Sequence, residues 1–208
     1  MSDAERPLDP DRRGRILQAG MALFAGTAYG AVHMDAVATA AGVAKPTLYR
    51  YFPTKEALFI EGLAWTLADL RDAVEATQRR DLDAAGRLRA AVGLVLERVG
   101  ALSPALHAIE GQGAEFGERS RRVLRQGFDA LRGALADLLR DGIGAGRFAV
   151  ADADLAALMI LGGVRMAVHG APGRRPPAPA AVADFFLNGL SADAAAPPQR
   201  LARLGALR

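Results

Sequence analysis

Lys45, Thr47, Tyr49 and Arg50 bring an ammonium, a hydroxyl, a phenol and a guanidinium into six residues, and no acid follows until Glu56. All four groups donate hydrogen bonds to phosphate oxygen, so the chemistry they suit is the gripping of a polyanion and not the making or breaking of bonds. The elements that would present them are legible on either side. Met34, Val37, Ala38 and Ala41 recur at helical spacing and run into Gly42, and a second apolar set, Leu48, Tyr51 and Phe52, begins soon after. Gly42 supplies the left-handed backbone that a sharp turn between helices needs and that a Cβ disfavours. Val43 is placed to plug the angle between the two helices. Pro46 falls in a first helical turn, where its missing N–H costs nothing, Pro53 stops the second helix, and Thr54 is suited to cap the next one with Lys55 at its first position.

The run GVAKPTLYRYFPTKEAL, Gly42 to Leu58, resembles the helix-turn-helix signature of the TetR family of transcription regulators, and the likeness extends back through Phe24, Tyr29, Met34, Asp35, Val37 and Ala38. It covers about the first sixty residues; beyond them only the helix layout is similar. The resemblance implies an all-α fold: a three-helix DNA-binding head, a linking fourth helix, and a helical body that dimerises and holds a ligand. It implies that Lys45, Thr47, Tyr49 and Lys55 hold phosphates while Ala44, Pro46 and Arg50 lie nearer to base edges. On that reading Lys55→Ala weakens binding to all sequences alike and flattens the salt dependence by about one unit of slope. Two positions depart from the family. His33 and Ala44 stand where Ser or Thr and Ser are usual, so two helix caps are lost or weakened at about 1 kcal/mol each. Asp35 offsets part of this through the helix dipole. His33 is either a phosphate contact that strengthens on protonation or a structural histidine, and Ala44 could meet a thymine methyl.

Composition agrees with a globular regulator but does not single one out. Of 208 residues 51% are apolar and 24% charged, and the net charge is only +3. With no cysteine, disulfides, thiolate nucleophiles and Cys-ligated metals are excluded. Only two of the 26 basic residues are lysine, Lys45 and Lys55, and both fall in the proposed DNA-facing stretch. The first fifteen residues mix acids with arginines and do not read as a secretory signal, and the apolar run Leu155 to Val164 is about half a membrane span, so a cytoplasmic location is expected.

Along the chain the expected organisation is a flexible arm over 1–10, a helix-turn-helix DNA-binding domain over 11–57, a ligand-binding and dimerisation domain over 58–191, and a tail over 192–208. A first helix is expected from Asp11 to near Ala25, and a fourth from Lys55 to about Arg79. Further helices are expected over Asp83–Gly100 and Glu118–Arg140, from Asp152 onward, and around Val182–Leu190. Leu102 to Gly117 reads as irregular, interrupted by Pro104 and three glycines. Gly142, Gly144 and Gly146 follow a helix and not a strand, so they make a stop and not a nucleotide loop. Trp65 reads as core or as ligand-stacking. The arginines of the 118–140 helix most simply form a solvated face.

The helix after Asp152 is apolar on nearly every side and must be covered on both. Leu158, Gly162 and Met166, with Phe185 and Phe186 of the last helix, are the candidate dimer interface; the family pairs these two helices with their copies in a four-helix bundle. Trp65, His107, Glu110, Phe128 and Arg165 are the candidate ligand-pocket residues. His107 and Glu110, three apart, lack a third metal ligand, so neither metal nor cofactor is expected. Arg165 either faces inward toward a carboxylate or lies structurally at the dimer seam.

The function implied is a ligand-responsive DNA-binding regulator. In its fullest form it is a repressor that binds a near-palindromic double-stranded operator as a homodimer and is released by a small apolar or amphipathic effector. An enzyme is disfavoured: there are three histidines, no cysteine, no Gly-x-Ser-x-Gly and no base paired with a nucleophile. A helical adaptor that binds protein and no DNA is the other reading.

Overall fold

The computed structural model describes residues 9–111, 118–169 and 177–191, with the side chains of 102–111, Ser120 and His169 outside that description. The fold is all α. In chain order come α1 (Pro10–Gly26), a 3-10 turn (Tyr29–Ala31), α2 (Met34–Ala40), α3 (Lys45–Tyr51) and α4 (Lys55–Ala76). A second 3-10 turn (Thr77–Arg79) is followed by α5 (Ala84–Gly111), α6 (Glu118–Gly144), α7 (Ala153–His169) and α8 (Pro179–Leu190). Among the described residues no helix is long and apolar enough to cross a membrane. The expected arm and tail lie, apart from Asp9 and Pro10, outside the described residues.

Two compact units divide the chain, one of Met1–Leu70 with Gly100–Ala130, the other of Arg71–Val99 with Leu131–Arg208. The first is built on a core that runs from Ile16, Leu17 and Phe24 of α1 through Val37 and Leu48 to Phe59, Leu63 and Leu67 of α4, all nearly inaccessible to solvent. Phe24, Tyr29 and Phe59 pack as an aromatic trio with centroids 4.9 to 5.6 Å apart. Helices α1 and α4 meet closely because glycines face side chains. A Cβ on Gly62 would come within 2.5 Å of Met21 Sδ, and one on Gly20 within 3.2 Å of Leu58.

The second unit buries Leu88, Val92 and Val95 of α5, Leu135 and Leu139 of α6, Ala157, Ile160 and Val164 of α7, and Ala183 and Leu187 of α8. Arg132 and Arg140 of α6 both pair with Asp154 of α7, and Arg89 of α5 pairs with Asp184 of α8 at 2.8 Å. Arg132 therefore leaves the solvated face expected of it, while Arg119, Arg122 and Arg125 are exposed.

Three boundaries differ from those expected. Helix α1 starts at Pro10 with Asp9 as its cap, Oδ1 accepting from the N–H of Asp11 at 2.9 Å, while the N–H of Asp9 donates to the Tyr51 hydroxyl at 2.8 Å. Helix α5 does not stop near Gly100 but continues to Gly111 through Pro104. Helix α6 likewise runs past Gly142 to Gly144, and the stop falls at Gly146, where φ is +68°.

Candidate nucleic-acid interface

The turn between α2 and α3 follows from Gly42, whose φ of +64° places it in the left-handed region. Its N–H donates to Thr39 O at 3.1 Å and that of Val43 to Ala38 O at 3.0 Å, the paired bonds that close a glycine-terminated helix. Val43 packs half-buried against the core and so fixes the angle. Thr54 Oγ1 accepts from the N–H of Ala57 at 3.0 Å and starts α4. His33 and Ala44 occupy the cap positions of α2 and α3 without a side-chain capping bond, so these two helices begin with uncapped amides.

With Leu48 and Tyr51 buried, α3 turns Lys45, Pro46 and Tyr49 outward, and Thr47 and Arg50 are half-buried. Arg50 lies over the ring of Tyr51, 5.8 Å from its centroid. His33, Lys45, Tyr49 and Lys55, four of the eight residues picked from the sequence, line one cleft of about 350 Å³ together with Val32, Met34 and Asp35. Ala44, Pro46, Thr47 and Arg50 are not among its lining. Lys45 Nζ meets both carboxylate oxygens of Asp35, at 2.8 and 3.0 Å, and that hydrogen bond and charge hold the lysine above its ordinary pKa.

Lys55 has intramolecular partners in the free protein. Its Nζ donates to the carbonyls of Tyr29 at 3.0 Å, Val32 at 3.2 Å and Gly30 at 3.3 Å, and sits 4.5 Å from the Tyr29 ring centroid. An ammonium has three protons, and three carbonyls take them. Lys55 thus holds the 3-10 turn in front of α2 in the free protein.

The candidate pocket residues fall in both compact units, Trp65 and Phe128 in the first and Arg165 in the second. Trp65 is not core: it is 39% exposed on α4. Phe128 packs half-buried on the core of the first unit. Arg165 is exposed on α7, on the same stripe as Leu155, Leu158, Met159, Gly162 and Met166, so it belongs to that outer face. The side chains of His107 and Glu110 lie outside the described residues. In the second unit Phe185 is 74% exposed, whereas Phe186 turns partly inward, where only a glycine at 163 leaves it room: a Cβ there would stand 2.5 Å from its ring.

A glycine-turned helix pair that presents a cation and a phenol on its second helix defines a helix-turn-helix head. Residues 16–61 match the profile described as Bacterial regulatory proteins, tetR family. Over 82 residues the chain is 39% identical to the HTH-type transcriptional activator FasR of Mycolicibacterium smegmatis, covering 39% of this chain and 37% of that one. Over 54 residues it is 54% identical to the HTH-type transcriptional repressor KstR of Rhodococcus jostii, covering 26% of each. The chain thus spans about a third or less of these curated relatives. The fold extends further. A TetR transcriptional regulator of Streptomyces coelicolor superposes with a TM-score of 0.67 at 26% identity, over 86% of this chain and 98% of that one. Residues 16–61 thus match the DNA-binding region of the tetR family, and the rest of the chain shares the fold of a solved TetR regulator.

Proposed function

We propose that this chain is a DNA-binding transcription regulator whose head, over residues 11–57, grips operator DNA and whose body, over 58–191, dimerises and takes an effector. The observation that carries the reading is the cleft in which Lys45, Tyr49 and His33 converge beside α3. With α3 in the major groove, these side chains and Thr47 reach the flanking phosphates, while Ala44, Pro46 and Arg50 follow the face nearer the bases. Lys55 acts behind them by fixing the approach to α2.

Pairing two heads is the task of the stripe on α7 and the end of α8. Leu155, Leu158, Met159, Met166 and Phe185 are each more than half exposed in the single chain, an apolar patch that a second copy would cover. A two-fold pair of heads about one DNA turn apart, roughly 34 to 36 Å, reads a near-palindrome. FasR is named an activator and KstR a repressor, and both match through the head. The head therefore leaves the sign of regulation open. We assign repression, with release by a small apolar or amphipathic effector that binds one body shape better than the other.

The experiment is selection of bound sequences from a random duplex pool, with wild type and with Lys45→Ala combined with Tyr49→Ala. Enrichment of a palindrome by the wild type alone supports the reading. A folded, dimeric wild type that retains no duplex even at low salt overturns it.

A further inference from the structure

Asp35 puts a carboxylate into the cleft beside His33, Lys45 and Tyr49, on the face assigned to phosphate. Both of its oxygens are spent on Lys45. The side chains of Asp35 and Lys45 remain 65% and 58% exposed, so the pair stands open to exchange with other ions. An acid in the first turn of α2 favours that helix through its dipole, but the dipole does not ask it to reach a lysine ten residues away on another helix. The reach has an electrostatic consequence. Lys45 lies in the first turn of α3, where a cation opposes the helix dipole, and Asp35 relieves that opposition while no DNA is present.

We propose that Asp35 is an affinity-limiting residue of the head: it occupies Lys45 in the free protein, and DNA must exchange that carboxylate for a backbone phosphate before Lys45 contributes to binding. The inference rests on the DNA-binding reading above. Part of the counterion release that a free lysine would give is forgone, because the carboxylate freed from Lys45 attracts a cation from solution as the phosphate gives one up. The head therefore binds all duplexes less tightly, and with a shallower salt dependence, than its cations imply. Phosphates are common to every sequence, so the restraint falls equally on specific and non-specific DNA.

The test uses the full-length dimer as wild type, Asp35→Asn, Lys45→Met and the double variant. Each is titrated with a labelled random-sequence duplex and with the palindrome selected as above, between about 50 and 200 mM salt. Asp35→Asn is expected to tighten both duplexes by about two- to fivefold per head, the worth of an exposed ion pair. It is also expected to steepen the slope of log affinity against log salt by up to about one unit per head. In the Lys45→Met background the same change is expected to have no effect on either quantity. A gain that persists without Lys45 overturns the proposal, since it reports only the removal of an acid from a DNA-facing surface. So does a loss of affinity in Asp35→Asn, which makes the carboxylate a positioning group, or a change confined to the palindrome, which makes it a base reader. Where Asn unsettles α2 in thermal melts, Asp35→Ser removes the same charge with a residue that favours helix starts. Failure of the wild type to bind either duplex defeats the DNA-binding reading instead and is separately visible.

Discussion

Lys55 separates a scaffolding lysine from a phosphate-holding one by stability as well as by binding. Its bonds to Tyr29 O and Val32 O are part-buried and the one to Gly30 O is exposed. Counting about 1 kcal/mol for each part-buried bond, little for the exposed one and about 0.5–1 kcal/mol for the ring contact, Lys55→Met should cost roughly 2–3 kcal/mol. For a chain of this size that lowers the melting temperature by ~4–12 °C. Lys55→Arg is the sharper variant. A planar guanidinium cannot direct three protons at carbonyls arranged around a point, yet it serves a phosphate at least as well as lysine does. Urea denaturation followed through Trp65, the single tryptophan and part of the same compact unit, reads the stability. Titration with duplex at several salt concentrations, well below the melting range, reads the binding. Both variants are expected to unfold at lower urea and to keep the wild-type salt slope where folded. If Lys55→Arg matches the wild type in both assays while Lys55→Met keeps its stability and loses about one unit of slope per head, the lysine holds phosphate and the scaffolding role is wrong.

Three further outcomes are expected. Met159→Arg with Met166→Arg places two charges on the exposed stripe of α7 and should give a monomer by sedimentation, with stability of the isolated chain changed by less than about 1 kcal/mol; a persistent dimer removes α7 from the interface. Gly42→Ala forces a Cβ into the left-handed region and should cost about 1–2 kcal/mol in denaturation while leaving the helical circular dichroism intact; a neutral result means that the turn relaxes to another geometry. Asp154→Asn breaks both ion pairs to Arg132 and Arg140, yet all three side chains are at least a third exposed or nearly so, so the loss should not exceed about 1 kcal/mol. A larger loss in denaturation would show that the three charges act as a network.

The parts of the head that were legible in the sequence are those fixed by a few neighbouring residues. Gly42 and Val43 dictate the turn, Thr54 the start of α4, and the apolar spacing of Leu48 and Tyr51 decides which side of α3 faces out. What was not legible depends on where helices cross. Asp35 and Lys45 sit on either side of a turn, and their pairing appears only once the angle of that turn is known. The carbonyls that hold Lys55 are more than twenty residues away in sequence. Pro104 and the glycines after it read as an interruption, yet α5 runs on to Gly111, since periodicity alone does not say where a helix ends. On α7 the apolar pattern showed surplus hydrophobic surface but not which part stays outside, and Arg165, ambiguous between pocket and seam, falls on the exposed stripe. Periodicity gives the face of a helix and not the position of a cavity, so it did not show that Trp65 is part-exposed while Phe128 packs on the core of the first unit.

The two lysines in an otherwise arginine-based protein then have a common physical reason that is not simply proximity to DNA. A carbonyl cage calls for a compact cation whose protons diverge, and Lys55 meets one that an arginine fork would span poorly. Lys45 has the complementary requirement. It must hold Asp35 in the free protein and release it to phosphate, and an arginine at that place would grip the carboxylate through two parallel bonds and surrender it less readily. Lysine at both positions thus follows from what each ammonium must do, one staying in place and one changing partners. Lys45→Arg should accordingly bind duplex no more tightly than the wild type while Asp35 is present, and more tightly once Asp35→Asn is added. Equal gains in both backgrounds, measured by the same salt-dependent titration, would leave the choice of lysine at that position without this explanation.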